Sequence, residues 1–168
     1  MSLNALIDRS LAAWNARDPE AIAADFAPDA TYWSPTLIDD DDNAGPAAAR
    51  QDAAMLFTAF PDFTLIERGR VGSEEDGRAA LWWEVSATFA GPLDPPGFAP
   101  TNGPVNNHGV SWVEVQAGHI VLFHLYFDLN ALGRQIGAIP PPGSAGEKMV
   151  VTFQKLTAKG LRKRDWSS

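Results

Sequence analysis

The sequence predicts a single α+β domain in which helices pack against an antiparallel meander. Three observations carry that reading. Apolar residues recur at spacings of three and four through most of the first sixty positions, the period changes to two after Pro61, and the later strands are joined by short turn sequences that make hairpins. At 168 residues the chain is about one domain long by the usual prior of ~100 to 200 residues.

Leu3, Leu6, Ile7, Leu11 and Trp14 form the stripe of an amphipathic helix over residues 3–17. Asp18-Pro19-Glu20 then starts a short second helix: the aspartate accepts a free N–H, the proline presets φ, and the glutamate sits at the positive end of the dipole. That helix ends near Phe26, and Pro28-Asp29 turns the chain into a short strand over 30–34, closed by Pro35. A third helix starts near Pro46, carries Ala53, Leu56, Phe57 and Phe60 on one face, and is stopped by Pro61.

Phe63 and Leu65 open the first meander strand, which runs to Gly72, and Glu74-Glu75-Asp76-Gly77 supplies a hairpin turn. On the next strand Leu81, Trp83, Val85, Ala87 and Phe89 share one face, opposed by Trp82, Glu84, Ser86 and Thr88. Residues 91–104 hold five Pro and three Gly, which leaves a long stiff loop with Phe98 as a candidate lid. Strands over 105–115 and 120–128 follow, joined by Gln116-Ala117-Gly118-His119. On the last strand Ile120, Leu122, His124, Tyr126 and Asp128 share a face, and Val121, Phe123, Leu125 and Phe127 form the other. A strand apolar on both sides predicts helices over one face and a second copy of the chain over the other, a homodimer through the convex sheet face. Leu129, Leu132 and Ile136 make a brief helix ending at Gly137. Three prolines at 140–142 divide the domain, residues 1–137, from a basic extension, residues 138–168, in which Met149-Val150-Val151-Thr152-Phe153 reads as an edge strand or a segment that pairs with another chain.

Composition narrows the function classes. The apolar share of 45% and charged share of 20% are those of a globular protein, and six Trp and nine Phe point to an aromatic core or pocket. No apolar run approaches the ~18 residues of a membrane span, and the first residues lack the charged start and apolar stretch of a signal peptide, so a soluble, cytoplasmic protein with no membrane partner is expected. With no cysteine there is no disulfide, thiolate nucleophile or zinc finger, and His108, His119 and His124 are too few for an imidazole cage. The acidic run from Asp39 to Asn43 lacks the spacing, central glycine and closing glutamate of a calcium loop and reads as solvated. No metal is expected. Walker and dinucleotide motifs are missing too, so no cofactor is expected. The net charge of −8 is uneven: residues 138–168 hold six basic and two acidic residues, leaving seven basic and nineteen acidic before them. An acidic body argues against a nucleic-acid partner.

This element order, with WNARDPEAIAADFAPDATYWSP at the front and GHIVLFHLYFDLNALGRQIG at the back, resembles the SnoaL-like polyketide cyclase family within the nuclear transport factor 2-like, cystatin-like cone fold. The resemblance covers about residues 3–137 and implies N-terminal helices packed on a curved antiparallel sheet, closed at one end and open at the other. It also implies that the aspartate ending the last strand, Asp128 here, is the acid and base of an intramolecular aldol closure needing no metal or cofactor. Where many relatives show Gly-Thr-His, this chain has Ala87-Thr88-Phe89, an apolar wall, and the extension beyond Gly137 is not typical of the family.

Residue chemistry agrees in part. A carboxyl on a strand face with Leu122, His124 and Tyr126, once taken out of water, has its pKa raised towards working pH. Asp128 also stands immediately before a helix, where it can cap. His108, on the neighbouring strand, is the candidate to polarise a carbonyl or share the proton. Trp14, Tyr32, Trp33, Trp83, Trp112, His124 and Tyr126 are candidates to wall a pocket for a small hydrophobic molecule. The expected function is a cofactor-independent acid–base enzyme on a carbonyl-bearing hydrophobic substrate, cyclase-like or a related isomerase or hydrolase. The alternative is a hydrophobic-ligand-binding or dimerisation module that does no chemistry.

Overall fold

The computed structural model describes residues 1–36 and 45–161, so the acidic run of 39–43 lies outside the described residues. Helices α1 (Leu3–Ala16), α2 (Pro19–Ala23) and α3 (Gly45–Ala59) lie on one side of a five-stranded sheet formed by β1 (Phe26–Trp33), β2 (Thr64–Ser73), β3 (Arg78–Thr88), β4 (Pro104–Gln116) and β5 (His119–Phe127). A short α4 (Leu129–Gln135) follows, then α5 (Ala145–Leu161). This is the α+β arrangement expected.

Strand order is β1-β5-β4-β3-β2. The meander from β2 to β5 is antiparallel throughout, while β1 joins the β5 edge in parallel. β1 is longer than its sequence suggests: it begins at Phe26 and runs through Pro28, which an edge strand tolerates because one side of its backbone needs no partner. A bulge on β5 sets its faces. Glu114 pairs with Leu122 but Val115 with Ile120, so Val121 is the extra residue and Ile120 turns inward with Phe123, Leu125 and Phe127.

Helix ends are fixed by side chains. Ser2 Oγ accepts from Ala5 N, and the Glu74 carboxylate in the β2–β3 turn accepts from Leu3 N and Asn4 N at 2.8 and 3.0 Å, so one hairpin caps α1 from across the fold. Those bonds hold the Glu74 carboxyl below its ordinary value. Asp18 caps α2 as expected, through Glu20 N and Ala21 N. Arg70 on β2 binds Asp8 of α1 and Glu67 at 2.6 Å each, tying helix to sheet.

Gln135 makes an unusual clamp. Its side-chain amide accepts from Asn106 N at 2.8 Å and donates to Asn106 O at 2.9 Å, standing in for a neighbouring strand where β4 extends past β5. It holds α4 against the sheet.

The extension is helical from residue 145, and this corrects the strand reading of residues 149–153. Ser144 Oγ accepts from Glu147 N at 3.2 Å and the Glu147 carboxylate accepts from Gly143 N at 2.6 Å, a capping arrangement of the Ser-x-x-Glu kind. That start signal outweighs the β-branched content of Val150, Val151 and Thr152.

Candidate functional site

Between the helices and the inner face of the sheet lies a cavity of about 110 Å³. α1 contributes Ile7, Ser10, Leu11 and Trp14; α3 and the turn after it contribute Leu56, Phe60 and Phe63; α4 contributes Leu132. The sheet supplies the remainder, with Leu81, Trp83, Val85 and Ala87 from β3, Val105, Asn107, Ser111 and Val113 from β4, and the inward residues of β5. The inward set on β3 is the alternation read from the sequence.

Trp83 occupies this wall because of a missing side chain. It pairs across strands with Gly109, where a Cβ would stand 2.5 Å from the indole ring, so only glycine lets the ring lie flat over β4. The indole N–H then reaches Ser111 Oγ at 3.0 Å, which satisfies a buried donor. Asn107 is likewise engaged: its amide donates to Asp128 O at 3.3 Å and accepts from His108 N at 2.9 Å. No Asp, Glu, His, Lys or Arg lines the cavity among the described residues.

Of the nine site residues nominated from sequence, Trp14 and Trp83 line the cavity. The other seven do not. Asp128 is exposed, and its Oδ1 accepts from Ala131 N at 2.8 Å, so the desolvated carboxyl expected there is corrected to a solvated N-cap of α4. His108 is exposed on the outer face of β4, opposite Glu84. Trp112, His124 and Tyr126 point outward as well, because the β5 face that meets the helices is the one carrying Phe123, Leu125 and Phe127. Trp33 lies beside them, its ring 5.2 Å from Tyr126 and 6.1 Å from His124. Tyr32 is inward but fully buried behind the wall, stacked on Phe123 at 5.3 Å, and its hydroxyl donates to Asp52 Oδ2 at 2.6 Å. Phe98, the lid candidate, pairs with Leu93 in its own loop and does not reach the cavity.

Two buried carboxyls went unread in the sequence. Asp52, on α3, takes hydrogen bonds from Tyr32 and Thr36, and burial pushes its pKa up while those donors pull it partly back. Its signal was an acid among Ala48, Ala49 and Ala53 on the apolar stripe of a helix. Asp25, just before β1, is ion-paired with half-exposed Arg9 through Oδ1, while its buried Oδ2 has no hydrogen-bond partner. Burial raises the Asp25 pKa, with Arg9 and neighbouring Ser10 opposing. Ser10 is itself a cavity residue, so Asp25 is an ionisable group one side chain behind the wall. Among the described residues no cluster of three metal-ligating side chains occurs, and no helix is long and apolar enough to cross a membrane.

A sequence model of the SnoaL-like domain matches residues 7–123. The chain belongs to the SnoaL-like family. Among solved structures this SnoaL-like chain is similar to AclR from Streptomyces galilaeus, provisionally a hydroxylase, at 27% identity and TM-score 0.69 over 82% of this chain and 97% of that one. It is similar also to IdmH from Streptomyces antibioticus, provisionally a polyketide cyclase, at 21% identity and TM-score 0.66 over 82% and 99%. A third, from Catenulispora acidiphila, is described as having a ketosteroid isomerase-like fold and was solved with trimethylamine, at 14% identity and TM-score 0.62 over 81% and 97%. Among curated proteins nothing matches the chain. These likenesses establish the cone fold.

Proposed function

We propose that this SnoaL-like chain binds a small apolar molecule inside the cone. The lining carries the reading: apart from Ser10, Asn107 and Ser111 it is aliphatic and aromatic, Ser111 is already bonded to Trp83, and Asn107 to the backbone of Asp128 and His108. Such a wall selects by shape and apolar area. Its volume selects by size. About 110 Å³ is below the ~300 Å³ of drug-sized sites and nearer the ~150 Å³ of an apolar cavity that takes one aromatic ring. A monocyclic hydrophobic ligand suits it, whereas a fused polycyclic ketone requires the wall to open.

A second reading keeps acid–base chemistry of the cyclase or isomerase kind, and Asp25 favours it. A buried carboxyl of raised pKa is a stronger base than a solvated one, and Ser10, which acts on it, also lines the cavity. On this reading Asp25, acting through Ser10, takes the role that the family resemblance implies for Asp128.

Thermal shifts with toluene, cyclohexanone and a fused tetracyclic ketone test both. The single-ring probes are expected to raise Tm, since binding stabilises by about 2.7 kcal/mol at a hundredfold excess over Kd. Val85→Phe, which fills the cavity, is expected to remove the shift. If no single-ring probe shifts the wild type, the binding proposal fails. Proton exchange beside the carbonyl of bound cyclohexanone, lost in Asp25→Asn and kept in Asp128→Asn, would carry the second reading, and equal exchange in Asp25→Asn would end it.

A further inference from the structure

Three polar side chains interrupt the apolar wall of the cavity, and they are not equivalent. Asn107 is bonded to the backbone of Asp128 and His108, and Ser111 Oγ accepts from the Trp83 indole. Ser10 differs from both. It stands inside α1 on the stripe that also carries Leu6, Ile7 and Trp14, where a hydroxyl adds nothing to helix propensity and sets a polar atom among apolar neighbours.

Behind Ser10 lies Asp25. This carboxylate is 1% exposed; its Oδ1 takes a hydrogen bond from Arg9 Nε at 2.7 Å, and its buried Oδ2 has no hydrogen bond among the described residues. Burial raises the Asp25 pKa, while Arg9, the Ser10 hydroxyl and the charge of His119 oppose it, so the Ser10 hydroxyl adjoins this carboxylate. A carboxylate held in an ion pair accepts hydrogen bonds and donates none. The single hydrogen of Ser10 therefore goes to Asp25, and its oxygen offers the cavity a lone pair.

We propose that Ser10 Oγ, oriented by Asp25, accepts a hydrogen bond from the ligand, so that the occupant of the cone is a single-ring hydrophobe bearing one hydroxyl, of the cyclohexanol or phenol kind. The assignment rests on the binding reading above and adds a direction to it: hydroxyl over carbonyl at equal size. A carbonyl sets a second acceptor against Ser10 and leaves two oxygens facing each other with no hydrogen between them, a mismatch that a polar subsite rejects. Ser111 imposes the opposite preference, because its oxygen already accepts from the indole and its own hydrogen is left to give.

Cyclohexanol and cyclohexanone separate the two. Both are titrated calorimetrically into the full-length wild type, Ser10→Ala and Asp25→Asn, with toluene as the apolar reference. Cyclohexanol is expected to bind the wild type about three- to tenfold more tightly than cyclohexanone. Ser10→Ala is expected to remove that preference and keep the affinity for toluene. Asp25→Asn, whose amide can donate to Ser10 and release the Ser10 hydrogen, is expected to turn the preference towards the ketone. Toluene binding with equal or tighter binding of cyclohexanone by the wild type overturns this assignment alone. So does an alcohol preference that survives in Ser10→Ala or in a folded Asp25→Asn; if Asp25→Asn does not fold, Ser10→Ala decides. A wild type that binds none of the three probes ends the binding reading and this assignment with it.

Discussion

Trp82 and Trp83 are successive residues on one strand, and they belong to different molecules in the physical sense. Trp83 is buried, donates to Ser111 and rests on a glycine that yields room for its ring; Trp82 is half exposed in a row with Val110 and Tyr126. The inner face of the sheet is satisfied within the chain, with polar atoms paired and aromatic rings packed. The outer face is equally aromatic but unfinished. Aromatic content therefore does not mark the inside of this fold; what marks it is whether each ring has a partner and each donor an acceptor.

The sharpest way to break the comparison is to truncate both tryptophans. Trp83→Ala is expected to cost about 3–5 kcal/mol in denaturant unfolding, the range for a large aromatic removed from a core. Trp82→Ala is expected to stay within about 0.5 kcal/mol of the wild type. Equal losses would mean that the two faces are equally packed.

The next effect is smaller and tests polar satisfaction behind the inner face. Tyr32→Phe keeps the ring on Phe123 but leaves an Asp52 carboxylate oxygen without its donor, and about 1–3 kcal/mol of stability is expected to go. Asp128→Ala should cost about 0.5–2 kcal/mol, the value of an N-cap, with affinity for a cavity ligand unchanged. A loss of binding without a loss of stability would return Asp128 to the site.

The mildest test is pH. Asp25 and Asp52 have raised folded pKa values, so the folded chain holds their protons more tightly than the unfolded chain does. Their contribution to stability is therefore largest below the ordinary value of 3.8 and declines as pH rises from there through the folded values. Asp62 and Glu74 act oppositely. Their lowered values stabilise the fold above the ordinary 3.8 and 4.5, and that contribution is lost on further acidification. Asp52→Asn is expected to flatten the decline as pH rises from the ordinary 3.8, as followed by urea midpoints. An unchanged slope would locate the decline elsewhere.

Much of the fold was legible because period-two alternation survives in β3 and β4, and because caps such as Asp18 are read from local sequence. Which face of β5 is inside was not. Both faces of that strand are apolar, so alternation identifies two faces without saying which meets the helices, and Asp128, His124 and Tyr126 were placed on the cavity side for that reason. The bulge at Val121 is set by pairing with β4, not by β5 itself. The run from Met149 to Phe153 has strand composition, yet the Ser144 and Glu147 cap starts a helix through it. Asp25 was hidden because its burial comes from α1 and β5, both remote in sequence.

For the ligand proposed above, Gln135 bears on rate as well as on the shape of the cavity. Its two bonds to the Asn106 backbone, together with buried Leu132 and Ile136, keep α4 seated where it contributes Leu132 to the wall. A ligand that enters past α4 must wait for that seat to open, and one that leaves must wait for the same event. Gln135→Ala touches no cavity atom, so it should quicken arrival and departure by similar factors and leave the equilibrium between them unchanged, making residence time adjustable independently of affinity.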